Sequence, residues 1–187
     1  MKEYDKAFAE YQQAMKVDEK LSEAWMGAGI VKDEMGLTRE GLQFMEKAID
    51  LEDINPEYWY ILGDTYLKDG NLEKAKHAYR KVTELDPYNK DIWLDYADIF
   101  IQENKIDEAI SILDKGIDSN PRNASNIYRR ALYLLKKGYT KEAYSTIEGA
   151  LILDYSNHTE LFEYMPQLKN DLKVTSMIDS FRVENYK

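Results

Sequence analysis

The chain offers little material for acid–base, nucleophilic or metal chemistry: two histidines, His77 and His158, and no cysteine. Lack of a thiol removes a thiolate nucleophile, a disulfide and a cysteine-ligated zinc site. His77 falls beside Lys74 and Arg80 on the outward side of a helical pattern, where a solvated imidazole is expected. His158 falls in a turn, where it would help a helix begin. The carboxylate pairs Asp95/Asp98 and Glu52/Asp53 are the right type for general acid–base work. Their positions in the chain's pattern are surface and turn positions, so solvated charge is the expected role. No glycine-rich phosphate loop, Gly-x-Ser-x-Gly, His-Glu-x-x-His or EF-hand spacing occurs. The sequence therefore predicts no catalytic residue, no metal, no cofactor and no enzyme.

Charge narrows the partners. Asp plus Glu number 35 against 25 Lys plus Arg, a formal net charge of -10 over 187 residues. An acidic chain repels phosphate backbones and anionic lipid, which argues against nucleic acid and membrane. No apolar run reaches the ~18 residues of a membrane span. With 44% hydrophobic residues and four prolines, the chain can fold. Its length fits one domain or one elongated array.

The elements that carry these residues repeat. Trp25, Trp59 and Trp93 are 34 residues apart. Small residues follow at the same step, Gly29, Gly63, Ala97 and Ala131, and so do Ala7, Gly41, Ala75, Ala109 and Ala143. Gly36, Gly70, Asn104 and Gly138 form a turn column. Within one period, Trp59, Leu62, Tyr66 and Leu67 recur at helical spacing, and Gly70-Asn71 ends that helix. Leu72, Ala75, Tyr79, Val82 and Leu85 line a second helix, which Asp86-Pro87 ends. Small columns let the two helices approach; tyrosines fill the space beside them. A lone hairpin cannot bury its apolar face, so neighbours must stack.

This pattern resembles the tetratricopeptide repeat family, most clearly over residues 56–89, PEYWYILGDTYLKDGNLEKAKHAYRKVTELDPYN. There Trp59, Leu62-Gly63, Tyr66, Ala75, Tyr79 and Pro87 stand at the family's positions. The resemblance implies an all-α, right-handed superhelix with a C-terminal capping helix. The expected division is residues 1–21 as the second helix of a truncated repeat, repeats at 22–55, 56–89, 90–123 and 124–157, and cap helices over 158–187. Tyr4, Ala7, Phe8, Tyr11 and Ala14 are the stripe of that first, orphan helix, so Met1 is read as the start of a fragment. Its uncovered face offers a surface for self-association. Pro166 is expected to interrupt the helix carrying Leu161, Phe162 and Met165. Asn170-Asp171 should cap a last helix with Leu172, Val174, Met177, Ile178 and Phe181 facing inward.

The resemblance also implies a binding surface, a concave wall lined by first helices. Carried over position by position, it supplies Glu23, Met26 and Ile30 from the first complete repeat, and Glu57, Tyr60, Ile61, Asp64 and Lys68 from the second. The third gives Asp91, Leu94, Asp95 and Asp98; the fourth gives Tyr128, Arg129 and Lys136. The Lys/Asn carboxylate clamp of chaperone-tail binders is missing, because its positions read Met26/Ile30, Tyr60/Asp64, Leu94/Asp98 and Tyr128/Leu132. Carboxylates beside apolar and tyrosine surface suit a protein or peptide segment with Lys or Arg between apolar residues. Solvated charge that merely keeps the surface soluble is the competing reading. Arg130 occupies a column read elsewhere as Ala28, Leu62 and Tyr96. Its stem should pack with the guanidinium in water, rather than pairing with a buried carboxylate. The function implied is a protein-interaction scaffold. The alternatives are a self-assembly module, or a regulatory array for a domain outside this chain. Lack of a signal segment points to the cytoplasm.

Overall fold

The same device closes four helical hairpins. Gly36, Gly70, Asn104 and Gly138 adopt φ of 79°, 80°, 59° and 89°. This left-handed geometry suits glycine and is tolerated by asparagine. The next amide reaches back five residues to the helix it leaves: Leu37 to the Lys32 carbonyl, Asn71 to Tyr66, Lys105 to Phe100 and Tyr139 to Leu134, at 2.8–2.9 Å. These bonds satisfy carbonyls that the helix end would orphan. The turns thus lie where the 34-residue column places them.

The structure, a computed structural model, describes residues 2–185. Met1, Tyr186 and Lys187, at the ends of the outermost expected segments, lie outside the described residues. Among those described there are eleven α-helices and no strand. The chain divides into two compact units, Met1–Asp86 and Pro87–Lys187.

Unit 1 holds α1 (Lys2–Val17), α2 (Ser22–Glu34), α3 (Thr38–Leu51), α4 (Pro56–Lys68) and α5 (Leu72–Leu85). Asn55 caps α4 by accepting from the Glu57 amide, with Pro56 in the first turn, and Asn71 caps α5 through the Lys74 amide. Where α2 crosses α3, a Cβ on Gly29 would come within 2.8 Å of the Gly41 carbonyl, and one on Gly41 within 2.7 Å of the Gly29 carbonyl. Only glycine at both positions permits that contact. Along α4, the Tyr79 ring fills the place a Gly63 side chain would take, and Ala75 beside it is fully buried. Small-against-large packing is therefore as the columns predict. The α1 stripe packs on α2: Phe8, Tyr11 and Ala14 are half-buried against a core of Met15, Ala24 and Ala28, while Tyr4 is exposed.

Unit 2 holds α6 (Ile92–Gln102), α7 (Ile106–Ser119), α8 (Ala124–Lys137), α9 (Thr140–Leu153), α10 (Glu160–Tyr164) and α11 (Leu172–Asn185). Tight 3-10 turns at Tyr155–Thr159 and Pro166–Asn170 flank the short α10. Pro166 breaks this helix as expected. Asp171 caps α11, accepting from the Lys173 and Val174 amides. Tyr128, Leu132, Ile147, Leu151, Leu161, Leu168, Val174 and Ile178 form one core. Leu172 departs from its expected inward role: it is 85% exposed, because the buried stripe of α11 runs through Val174 and Ile178 instead.

The tryptophan column does more than fill core. Each indole N–H donates to a carbonyl six residues earlier in the turn between hairpins: Trp25 to Glu19 at 2.9 Å, Trp59 to Asp53 at 2.7 Å and Trp93 to Pro87 at 2.9 Å. A large ring with one donor packs on one side and ties the turn on the other. Trp93 is buried, whereas Trp25 and Trp59 are half-buried.

Candidate functional site: the first-helix faces

In unit 1 the face is built by α2 and α4. Glu23, Glu57, Asp64 and Lys68 are exposed on it, Ile30 sits at 36% exposure, and Tyr60 and Ile61 are half-buried. Lys68 reaches Asp33 at 2.9 Å, and Asp33 also accepts from Thr38 at 2.7 Å. Asp64 accepts a hydrogen bond from the Tyr79 hydroxyl. Burial raises the Asp64 carboxyl above its ordinary pKa, with that hydrogen bond opposing. Met26 does not belong to this surface. It is 3% exposed, on the stretch of α2 where the Tyr11 ring of α1 lies against Gly27.

In unit 2 one acid of the expected wall, Asp98, is engaged by a buried cation. The Arg129 guanidinium, 3% exposed as a residue, places Nη1 2.7 Å from both carboxylate oxygens of Asp98. Tyr133 donates to the same carboxylate, and the Tyr164 ring lies 3.1 Å from Arg129 Cζ. Burial works against the charged guanidinium, but Asp98 outweighs it and holds Arg129 above its ordinary pKa. Burial together with Asp98 pushes the Tyr133 phenol well up. Arg129 and Asp98 therefore spend their charges on each other. Tyr128 is also removed from the surface, fully buried with its hydroxyl donating to the Asp154 carbonyl at 2.9 Å. The helix α10 and the turns beside it cover that end of α8.

What remains open in unit 2 is a cleft of about 540 Å³ over this network, with Ile101, Leu132 and Met165 as apolar lining and Gln102, Lys136 and Gln167 as polar lining. Lys136 and Asp91 are exposed, while Leu94 and Asp95 are half-buried. Arg130 corrects the sequence expectation. Its Nε lies 2.6 Å from Asp114 and its Nη2 2.9 Å from Glu142, so two half-exposed carboxylates pair with a guanidinium expected to be solvated alone.

His77 is exposed, its Nδ1 3.1 Å from Arg80 Nη2, and His158 Nδ1 lies 2.7 Å from the Tyr155 carbonyl in a turn. Both imidazoles have the local roles their neighbours imply. Among the described residues, no three His, Asp or Glu side chains gather in a way that would hold a metal ion. No described helix is long and apolar enough to cross a membrane.

Family profiles described as tetratricopeptide repeat match residues 66–132 and 44–77. Residues 44–132 are therefore tetratricopeptide repeats. No curated protein matches it in sequence. A crystal structure of MamA superposes with a TM-score of 0.69 at 22% identity, covering 82% of this chain and 90% of that one. A second MamA structure gives 0.67 at 21% identity, covering 87% and 86%. YrrB, described as a TPR protein with an unusual peptide-binding site, gives 0.61 at 16% identity, covering 91% and 90%. At these identities the likeness shows a shared fold.

The tetratricopeptide columns could not place Tyr164, Met165 and Gln167 on a binding surface, yet they line the unit 2 cleft. The available signal was Pro166. A proline where a first helix should continue forces the chain to turn early, and the residues beside it are carried onto α8.

Proposed function

We propose that this protein is a non-catalytic interaction scaffold that docks a peptide segment or partner protein on its first-helix faces. The observation that carries the reading is the unit 1 face, where Ile30, Tyr60 and Ile61 leave apolar surface accessible beside exposed Glu23 and Glu57. Helices already ordered by packing lower the entropy cost of binding. The likeness to YrrB, whose description names a peptide-binding site, supports the same reading. Division into repeats at 22–55, 56–89, 90–123 and 124–157 belongs to this proposal.

The two faces favour different chemistry. Unit 1 suits Lys or Arg interleaved with apolar side chains. Unit 2 suits a neutral or acidic polar group, because its Asp98 is neutralised internally and Lys136 stands at the cleft. The test is recovery of a partner with the whole chain as bait, then titration of that partner against variants at two salt concentrations. Tyr60→Ala should weaken binding at least about tenfold with little change in salt dependence, since truncating a central aromatic removes contact area. Glu23→Lys with Glu57→Lys should slow association and flatten the salt dependence. Partners bound equally well by all three proteins would refute the first-helix reading.

A further inference from the structure

Unit 1 has a second opening, away from Glu23, Glu57 and Tyr60. It is a slot of about 520 Å³ walled by Ile49, Trp59, Leu62, Tyr66 and Ala78. Its origin lies in one substitution between equivalent helices. Helix α5 repeats α3 at the 34-residue step, so Ala78 stands where Phe44 stands one hairpin earlier. The Phe44 ring packs 5.9 Å from Trp25 and 5.5 Å from Phe8, centroid to centroid. Beside Trp59 a slot opens between α3 and α5 instead, with Ala78 closed off at its floor at 1% exposure. The slot is preformed: the Trp59 indole is tied to the Asp53 carbonyl, and the His77 ring stands edge-on to it at 5.8 Å.

The rim has a sign. Asp50 and Glu73 are exposed carboxylates lining the slot, and Glu73 holds Lys76 at 2.6 Å. The lysine that lines it, Lys74, is engaged by Glu46 at 2.9 Å and the Tyr66 hydroxyl at 3.3 Å. Glu46 sits below its ordinary pKa because those two hydrogen bonds outweigh burial, so it keeps the ammonium balanced. With Glu46 beside Lys74 and Glu73 beside Lys76, Asp50 gives the opening its acidic sign.

We propose that this slot is a second docking site, which takes one aromatic side chain from a partner segment that carries Lys or Arg beside it. The aromatic ring enters beside Trp59, where Phe44 packs on Trp25 one hairpin earlier, and the flanking cation meets Asp50. A partner using both faces of unit 1 gains by linkage of two modest contacts.

The test uses the whole chain to select from a displayed library of random short peptides. Selected peptides should carry Phe, Tyr or Trp next to Lys or Arg. They should lose at least about tenfold in affinity on Ala78→Phe, a change of about 1.4 kcal/mol. That variant supplies its own ring at a buried position and decides the matter where it keeps helical circular dichroism. Asp50→Lys, on an exposed side chain, gives a second decision if Ala78→Phe fails to fold, and should produce a similar loss. Tyr60→Ala should leave these peptides within about twofold, which separates this slot from the first-helix face. Selection of acidic or non-aromatic peptides, no selected peptide at all, or affinities unmoved by both slot variants would overturn the proposal.

Discussion

Asp64 and Asp98 stand at the same place in successive first helices, and they meet different neighbours. Asp64, in unit 1, accepts from a tyrosine hydroxyl and stays exposed. Asp98, in unit 2, is held by a buried arginine and a second tyrosine. One carboxylate remains available as surface charge, while the other has become part of the packing of unit 2. The lesson concerns the helix that follows. An acid on a repeat face is a recognition group only when the next helix brings no cation to it. Asp33 shows the intermediate case, since its partner Lys68 is itself half exposed, and such pairs contribute little net stability.

The largest expected effect tests that contrast directly. Asp98→Asn leaves a guanidinium of 4% side-chain exposure without a counter-charge and should cost about 3 kcal/mol by chemical denaturation. Asp64→Asn keeps an acceptor for the Tyr79 hydroxyl and strands no buried charge, so it should change stability by less than about 0.5 kcal/mol. Equal losses in the two variants would break the comparison.

Core packing should not distinguish the units. Ala75 in unit 1 and Ala109 in unit 2 are both fully buried. Leucine at either should overpack a helix contact and lower stability by about 1–3 kcal/mol, read by thermal melting. An unchanged midpoint at one position would show that its unit repacks more freely than the other.

A smaller effect of opposite sign is expected at Asn126. Its amide is fully buried in unit 2, and neither its nitrogen nor its oxygen has a hydrogen-bond partner. The equivalent positions are Ala24, Tyr58 and Ile92. Asn126→Leu should raise stability by about 1 kcal/mol, because burying an unpaired amide costs more than burying a similar apolar group. A fall in stability would mean that the amide has a structural role.

The smallest effect is in the pH dependence. Glu46 in unit 1 and Asp171 in unit 2 both sit below their ordinary pKa. Burial opposes ionisation in each, and hydrogen bonds win: Tyr66 and Lys74 at Glu46, Tyr144 and the Val174 and Lys173 amides at Asp171. A carboxyl depressed on folding contributes stability that is present above its unfolded pKa and is lost as pH falls through the folded value. Glu46→Gln and Asp171→Asn should therefore each flatten the loss of stability below about pH 4.5, the range set by ordinary carboxylates. Asp64 acts the other way. Its raised pKa costs stability as pH rises through it, so Asp64→Asn should steepen the acid limb slightly.

Much of the fold was legible from local chemistry. The turn residues, the helix caps and the small-residue columns act within a few positions of themselves, or at one fixed step of 34 residues. The sequence therefore specified helical hairpins, their turns and the close contacts of Gly63 and Ala75. Long-range partner choice was not legible. Arg129 and Arg130 are adjacent and alike in type, and nothing local says that one meets Asp98 and the other meets Asp114 and Glu142. Tertiary structure decided those pairings, because two charges leave water together only when packing brings them within hydrogen-bond distance. It also decided which face residues remain accessible. Burial depends on what is folded over a side chain, and the turns that carry Tyr164 onto Arg129 follow from a proline 37 residues later in the chain. The slot beside Trp59 has the same character: an alanine is an unremarkable residue in the sequence, and the opening near it exists only because of how the helices around it pack.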